Sequence, residues 1–216
     1  MNVLFDVDGV LIDGWHSNPA RRKPWDIAIE QDLGIDRDAF RRRFFEPTQG
    51  TFDSPMHACV EGKRDLKLAL AEVLPGLGYT GSVDTFVRYW FEKDSNVNRA
   101  VLAVVERLAK NETVKLYVAT GQEHYRAAYL WNELGFKRFF SDIFYSAKLR
   151  HLKTSPEFFG AVNAILGAQD NESPVFFDDQ ADVVRIAREA QWDATVFDSI
   201  TDITEHPRLK PYLQYL

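Results

Sequence analysis

The residues best suited to chemistry stand in three short clusters: Asp6 and Asp8 within Val3-Leu4-Phe5-Asp6-Val7-Asp8-Gly9, then Thr120-Gly121, then Asp178-Asp179. Asp6 and Asp8 are one residue apart at the end of an apolar, β-prone run, so an extended chain carries both side chains to the same side. Two carboxylates held together repel, and a divalent cation or a shared proton between them relieves the repulsion. A pair of solvated turn acids before Gly9 would need neither. Thr120 stands between a strand-like run and a helix-like one, where a hydroxyl and free backbone N–H groups suit a phosphate, although plain N-capping is the commoner use of such a threonine. Asp179 could likewise serve only to cap the helix that follows it.

Residues this far apart in sequence must be brought together by the fold. Positions 3–5, 114–119 and 174–177 are apolar runs of strand length, with shorter ones at 143–145 and 194–197, and helical periodicity separates them. Strands alternating with helices predict an α/β fold, a Rossmann-like doubly wound parallel sheet with right-handed crossovers. Ligands of such sheets bind at the carboxyl ends of the strands, and all three polar clusters fall at predicted strand ends. Between residues 19 and 98 no strand pattern stands out. Apolar residues at three and four spacing predict helices over 25–33, 37–45, 63–74 and 83–93, followed by 98–109, a helix up to 134, 156–166 and one up to 190. The expected organisation is an α/β core made of 1–14 and 99–216, with an all-helical insert at 15–98. The end of the chain, with Pro207 and Pro211, reads as a polar tail.

The hydrophobic-Asp-x-Asp-Gly-hydrophobic stretch at Asp6 and Asp8 resembles the first motif of the haloacid dehalogenase superfamily, in the form used by its phosphatases. Three further stretches extend the resemblance along the whole chain. Thr120 matches the strand-ending threonine or serine of the second motif, with Gly121 where many relatives have asparagine, so the contact of that side chain is absent or comes from Gln122 or Glu123. Ser146 to Phe159 is similar to the third motif, and Pro156-Glu157 sets a register that makes Lys153 the motif lysine rather than Lys148; Thr154 and Arg150 replace the usual proline and glycine. Phe176-Phe177-Asp178-Asp179 is similar to the double-aspartate form of the fourth.

The resemblance implies a helical cap at 15–98 and a Mg2+-dependent phosphatase of small phosphomonoesters. Asp6 would be the nucleophile, ionised at neutral pH, and Asp8 the general acid and base. Thr120, Gly121 and Lys153 would hold the phosphoryl oxygens. Magnesium would be held by Asp6, Asp179 and the backbone carbonyl of Asp8, with Asp178 supporting it and orienting Lys153. A sugar phosphomutase uses the same core and is the alternative. A carbon–halogen hydrolase is disfavoured by Asp8 and Asp179, and a non-catalytic binding protein would be expected to have lost a motif residue.

Composition is that of an ordinary soluble globular protein. The chain has 216 residues, 45% hydrophobic and 27% charged, enough for a well-buried core. A net charge of −6 argues against a nucleic-acid binder. The start of the chain shows neither a signal peptide nor a membrane span, and a single cysteine, Cys59, excludes an internal disulfide; both fit the cytoplasm. The expected partner is a small phosphorylated metabolite, bound by a monomer or homodimer. The five histidines show no metal spacing and are expected mostly at the surface or on helices, and Arg41-Arg42-Arg43 is expected to be a solvated helix face rather than an anion clamp. Trp15 and His16, the first bulky side chains past the catalytic strand, are the candidates for touching the leaving group; otherwise Trp15 packs and His16 is solvated.

Overall fold

The computed structural model describes residues 1–14, 16, 18–47, 53–167 and 172–213. Strands β1 (Asn2–Phe5), β2 (Lys115–Thr120), β3 (Asp142–Tyr145), β4 (Val175–Asp178) and β5 (Asp193–Val196) form one sheet in the order β3-β2-β1-β4-β5, every pair parallel. The central strand β1 pairs Phe5 with Val118 on one side and Phe177 on the other. Alternation explains why β1 is apolar at every position: Val3 and Phe5 enter one buried cluster, and Leu4 enters another. Because β1, β2 and β4 run in register, their carboxyl ends place Asp6, Thr120 and Asp178 along one edge.

The helices are α1 (Ile29–Leu33), α2 (Arg37–Phe44), α3 (Pro55–Val60), α4 (Leu66–Val73), α5 (Val83–Lys93), α6 (Arg99–Leu108), α7 (His124–Asn132), α8 (Ser146–Leu149), α9 (Pro156–Leu166), α10 (Ala181–Glu189), α11 (Thr201–Thr204) and α12 (Lys210–Leu213). Side chains of α6 and α7 fill the cluster around Val3 and Phe5, and those of α9 and α10 fill the one around Leu4. Helices α2 to α6 start on Asp36, Ser54, Asp65, Ser82 and Asn98, whose side chains each accept from the backbone N–H three residues on.

Helices α1 to α5 build a third cluster, in which Phe40, Phe44, Phe86, Trp90 and Phe91 are buried. Trp25 stacks on Trp90 with ring centroids 4.8 Å apart. The chain enters and leaves this helical stretch side by side: Asp13 N–H donates to the Asn96 carbonyl at 2.8 Å, and Asn98 N–H to that of Leu11 at 3.0 Å. Arg126 of α7 clamps the exit, donating to the carbonyls of Phe91 and Asp94 and to Ser95 Oγ.

Several sequence expectations need correcting. The stretch 25–33 opens with a 3-10 turn, Trp25–Ala28, before α1. Helix α4 begins at Leu66 rather than 63, because Asp65 caps it. Helix α3, with Pro55 in its first turn, is too short to show a periodicity and was not expected. The polar tail contains α11 and α12, whose Ile203 is buried in the sheet cluster. Arg42 and Arg43 are exposed as expected of a solvated helix face, while the partly buried Arg41 also lies 3.3 Å from the buried carboxylate of Asp26.

Candidate active site

The end of β1 delivers Asp6 into a buried position, where its backbone N–H donates to the Phe177 carbonyl of β4 at 2.9 Å. Its Oδ2 lies 2.6 Å from Lys153 Nζ, and its Oδ1 is buried without a hydrogen-bond partner among the described residues. Lys153 also lies 2.7 Å from Asp178 Oδ2 at the end of β4. The lysine is held by its own backbone, whose N–H donates to the Oγ of fully buried Ser146 at 3.0 Å. That contact gives the seven-residue spacing between the two its physical meaning. Lys148, by contrast, points away to Asp142, 3.2 Å distant.

The carboxylate oxygens of Asp6, Asp178 and Asp179 lie within 4.8 Å of one another. Asp178 Oδ1 also accepts from Gln180 N–H at 2.9 Å, which supports the chain entering α10, whose N-cap is Gln180. Gly9 passes directly beneath Asp179 with φ +88°, and a Cβ there would lie 2.4 Å from Asp179 Cγ. The Asp8 carboxylate is not part of this group; its Oδ2 accepts from Gln122 Nε2 at 2.5 Å.

Thr120 does not cap α7. Glu123 does, accepting from Tyr125 N–H at 2.7 Å and from Arg126 N–H. The buried Thr120 Oγ1 has no hydrogen-bond partner among the described residues and lines a hollow of about 230 Å³ with Asp6, Asp8, Gly121 and Lys153. His57 of α3 lines the same hollow, which the sequence reading missed. No local signal in the sequence pointed to it, because His57 reaches the hollow through the packing of the short helix α3. A second cavity, about 310 Å³, meets the first at Asp8 and is walled by Trp25, Phe45, Trp90 and Asp94.

Burial dominates the electrostatics of the site. It pushes the Asp6 carboxyl well above the usual carboxylate range; Lys153 opposes this, and the charges of Asp178 and Asp8 add to it. Burial also works against the Lys153 ammonium, but Asp178 and Asp6 outweigh it and raise its pKa. One ammonium thus faces an excess of carboxylates. Burial and the neighbouring carboxylates work against ionisation of Asp6, and Lys153 works for it.

His16 is corrected as well. It is neither solvated nor part of the cavities just described: it is buried, its Nε2 lies 3.5 Å from Asp13, and burial followed by Arg21 lowers its pKa. His206 is also buried, its ring against Phe177. Trp15 lies outside the described residues.

A family model described as haloacid dehalogenase-like hydrolase matches residues 1–191. The chain belongs to this hydrolase family. The haloacid dehalogenase-like fold is likewise found in a family enzyme from Bacteroides thetaiotaomicron, in complex with magnesium and inorganic phosphate, which is 15% identical with a TM-score of 0.69 over 91% of this chain and 93% of that one. A HAD-like family hydrolase from Porphyromonas gingivalis, also 15% identical, has a TM-score of 0.69 over 100% and 98%. L-2-haloacid dehalogenase from Xanthobacter autotrophicus is 15% identical, with a TM-score of 0.58 over 89% and 75%. At this identity the likeness is one of fold. A search of curated proteins returns no match. Among the described residues no helix of this hydrolase is long and apolar enough to cross a membrane.

Proposed function

We propose that this haloacid dehalogenase-like hydrolase is a magnesium-dependent phosphatase of small phosphomonoesters. The observation that carries the reading is the gathering of Asp6, Asp178 and Asp179 within 4.8 Å, against the single ammonium of Lys153. Such a group calls for a hard divalent cation, and the buried, unpartnered Oδ1 of Asp6 is a ligand atom of the required kind. Asp6, Asp179 and the backbone carbonyl of Asp8 would hold the ion, while Asp178 keeps Lys153 in place. When bound, magnesium supplies charge that neutralises the phosphoryl oxygens and holds Asp6 ionised. The magnesium- and phosphate-bound fold relative from Bacteroides supports this choice.

The remaining steps belong to the side chains. Asp6 attacks phosphorus as the bond to the leaving oxygen breaks, giving an aspartyl phosphate. Lys153, the Thr120 hydroxyl and the Gly121 backbone N–H bind the non-bridging oxygens, where charge must be stabilised. Asp8 gives a proton to the leaving oxygen and then takes one from the water that cleaves the intermediate. Because Asp8 borders both hollows, the phosphoryl group belongs beside Asp6 and the leaving group in the cavity walled by Trp25, Phe45 and Trp90. Carbon–halogen hydrolysis gives no reason for three clustered carboxylates.

The reading is tested by assaying phosphate release from a panel of phosphomonoesters and halide release from 2-haloacids, each with and without magnesium, with sugar phosphates inspected for isomers. Magnesium-dependent phosphate release alone supports it. Halide release without phosphate release, or isomerisation without net release, contradicts it.

A further inference from the structure

We infer that Gln122 is a positioning residue for proton transfer by Asp8. The inference rests on the reading of Asp8 as general acid and base. Its structural basis is the 2.5 Å hydrogen bond from Gln122 Nε2 to Asp8 Oδ2, made by a side chain that is itself buried.

The Gln122 backbone is tied down on both sides. Its backbone carbonyl accepts from Ala147 N–H at 3.2 Å, which ties it to the start of α8. The next residue, Glu123, caps α7 through two backbone N–H groups, and Arg126 one turn on is bound to Phe91, Asp94 and Ser95 where the chain leaves the helical stretch. The amide therefore approaches Asp8 from a rigid corner, as a positioning group must. Gln122 does not line the hollow that holds Asp6, Thr120 and Lys153, so it has no place among the groups that bind the phosphoryl oxygens.

The neutrality of the amide matters. During leaving-group departure Asp8 begins as an acid and ends as a carboxylate: its proton moves to the leaving oxygen, which takes the electron pair of the broken phosphorus–oxygen bond. Hydrolysis of the intermediate returns a proton from water to Asp8. An amide N–H can donate to Oδ2 in both forms, with the proton carried on the other oxygen. A lysine or arginine in its place would favour the ionised form, and a carboxylate would compete for the proton. One oxygen of Asp8 is thus held while the other works, so the cost of orienting it is met before substrate arrives.

The test is the leaving-group dependence of kcat/KM in Gln122→Met, which keeps the length and loses the donor, with Gln122→Leu as a second variant should the first fold poorly. The probes are 4-nitrophenyl phosphate, whose leaving group departs without protonation, and glycerol 2-phosphate, whose leaving group needs it. We expect kcat/KM for the glycerol ester to fall roughly ten- to a hundredfold, mainly in kcat, while the aryl ester loses less than about threefold. The rise in melting temperature on adding magnesium should match the wild type. Equal losses on both esters, or no loss on either, would overturn the inference, since damaged packing does not distinguish leaving groups. Asp8→Asn is assayed alongside. If Asp8→Asn fails to separate the two esters, the reading of Asp8 itself is wrong; if Asp8→Asn separates them and Gln122→Met does not, only the role of Gln122 is refuted.

Discussion

Gly9 and Asp179 come from strand ends far apart in sequence, yet they are packed so closely that a methyl group on Gly9 would meet the Asp179 carboxylate. A second constraint acts at the same residue, because its φ of +88° is a conformation that side-chain-bearing residues adopt only with strain. Gly9→Ala is therefore expected to displace Asp179 and to cost about 1–3 kcal/mol of stability. If Asp179 helps to hold magnesium, the metal affinity measured by calorimetry should fall together with phosphate release. Unchanged magnesium affinity in a folded Gly9→Ala protein would show that Asp179 is not a ligand.

Glu123 gives a prediction about pH. Burial first, against the opposing pull of its two backbone hydrogen bonds, lifts its pKa from an ordinary 4.5 to about 7. The folded state then holds a proton that the unfolded chain has already lost, so stability falls as pH rises between these values. The contribution is fully present below about pH 4.5 and gone above about pH 7, amounting to roughly 3 kcal/mol at most. Glu123→Gln keeps an oxygen to cap α7 and removes the titration. Urea unfolding across this range should show a shallower decline for the variant, and identical slopes would mean that Glu123 is ionised throughout.

Selectivity should reside in the aromatic cavity. Phe45 borders it from the end of α2 and is only partly buried, so it can be truncated with less damage than Trp90. Phe45→Ala should change relative kcat/KM values among phosphomonoesters by about 1–2 kcal/mol, while a small aryl phosphate changes little. A uniform loss over all substrates, with a lower melting temperature, would assign Phe45 to packing alone.

The legible part of the molecule was the part governed by local rules. Strand-length apolar runs and the polar residues ending them specified the sheet, because a strand buried on both faces must be apolar throughout, as Val3, Leu4 and Phe5 show. Lys153 was placed by the resemblance to the third motif, whose seven-residue spacing from Ser146 corresponds in the structure to a single hydrogen bond. Contacts decided by tertiary packing could not be read in this way. Nothing local in Gln122 points to Asp8, 114 residues away. His57 reaches the hollow only because a short helix lies over it, and His16 gave no sign that it would be buried against Asp13.

The central claim is that Asp6 becomes phosphorylated. Asp8→Asn should slow hydrolysis of the intermediate while leaving Asp6 able to attack an activated aryl phosphate, so the phosphoenzyme should accumulate. The decisive measurement is mass spectrometry of Asp8→Asn protein quenched in acid after incubation with 4-nitrophenyl phosphate and magnesium. The account predicts one added phosphoryl group, located at Asp6 by peptide fragmentation and lost when Asp6→Asn is combined with it. An unmodified Asp6 in protein that still releases nitrophenol, or a phosphoryl group at another residue, would contradict it.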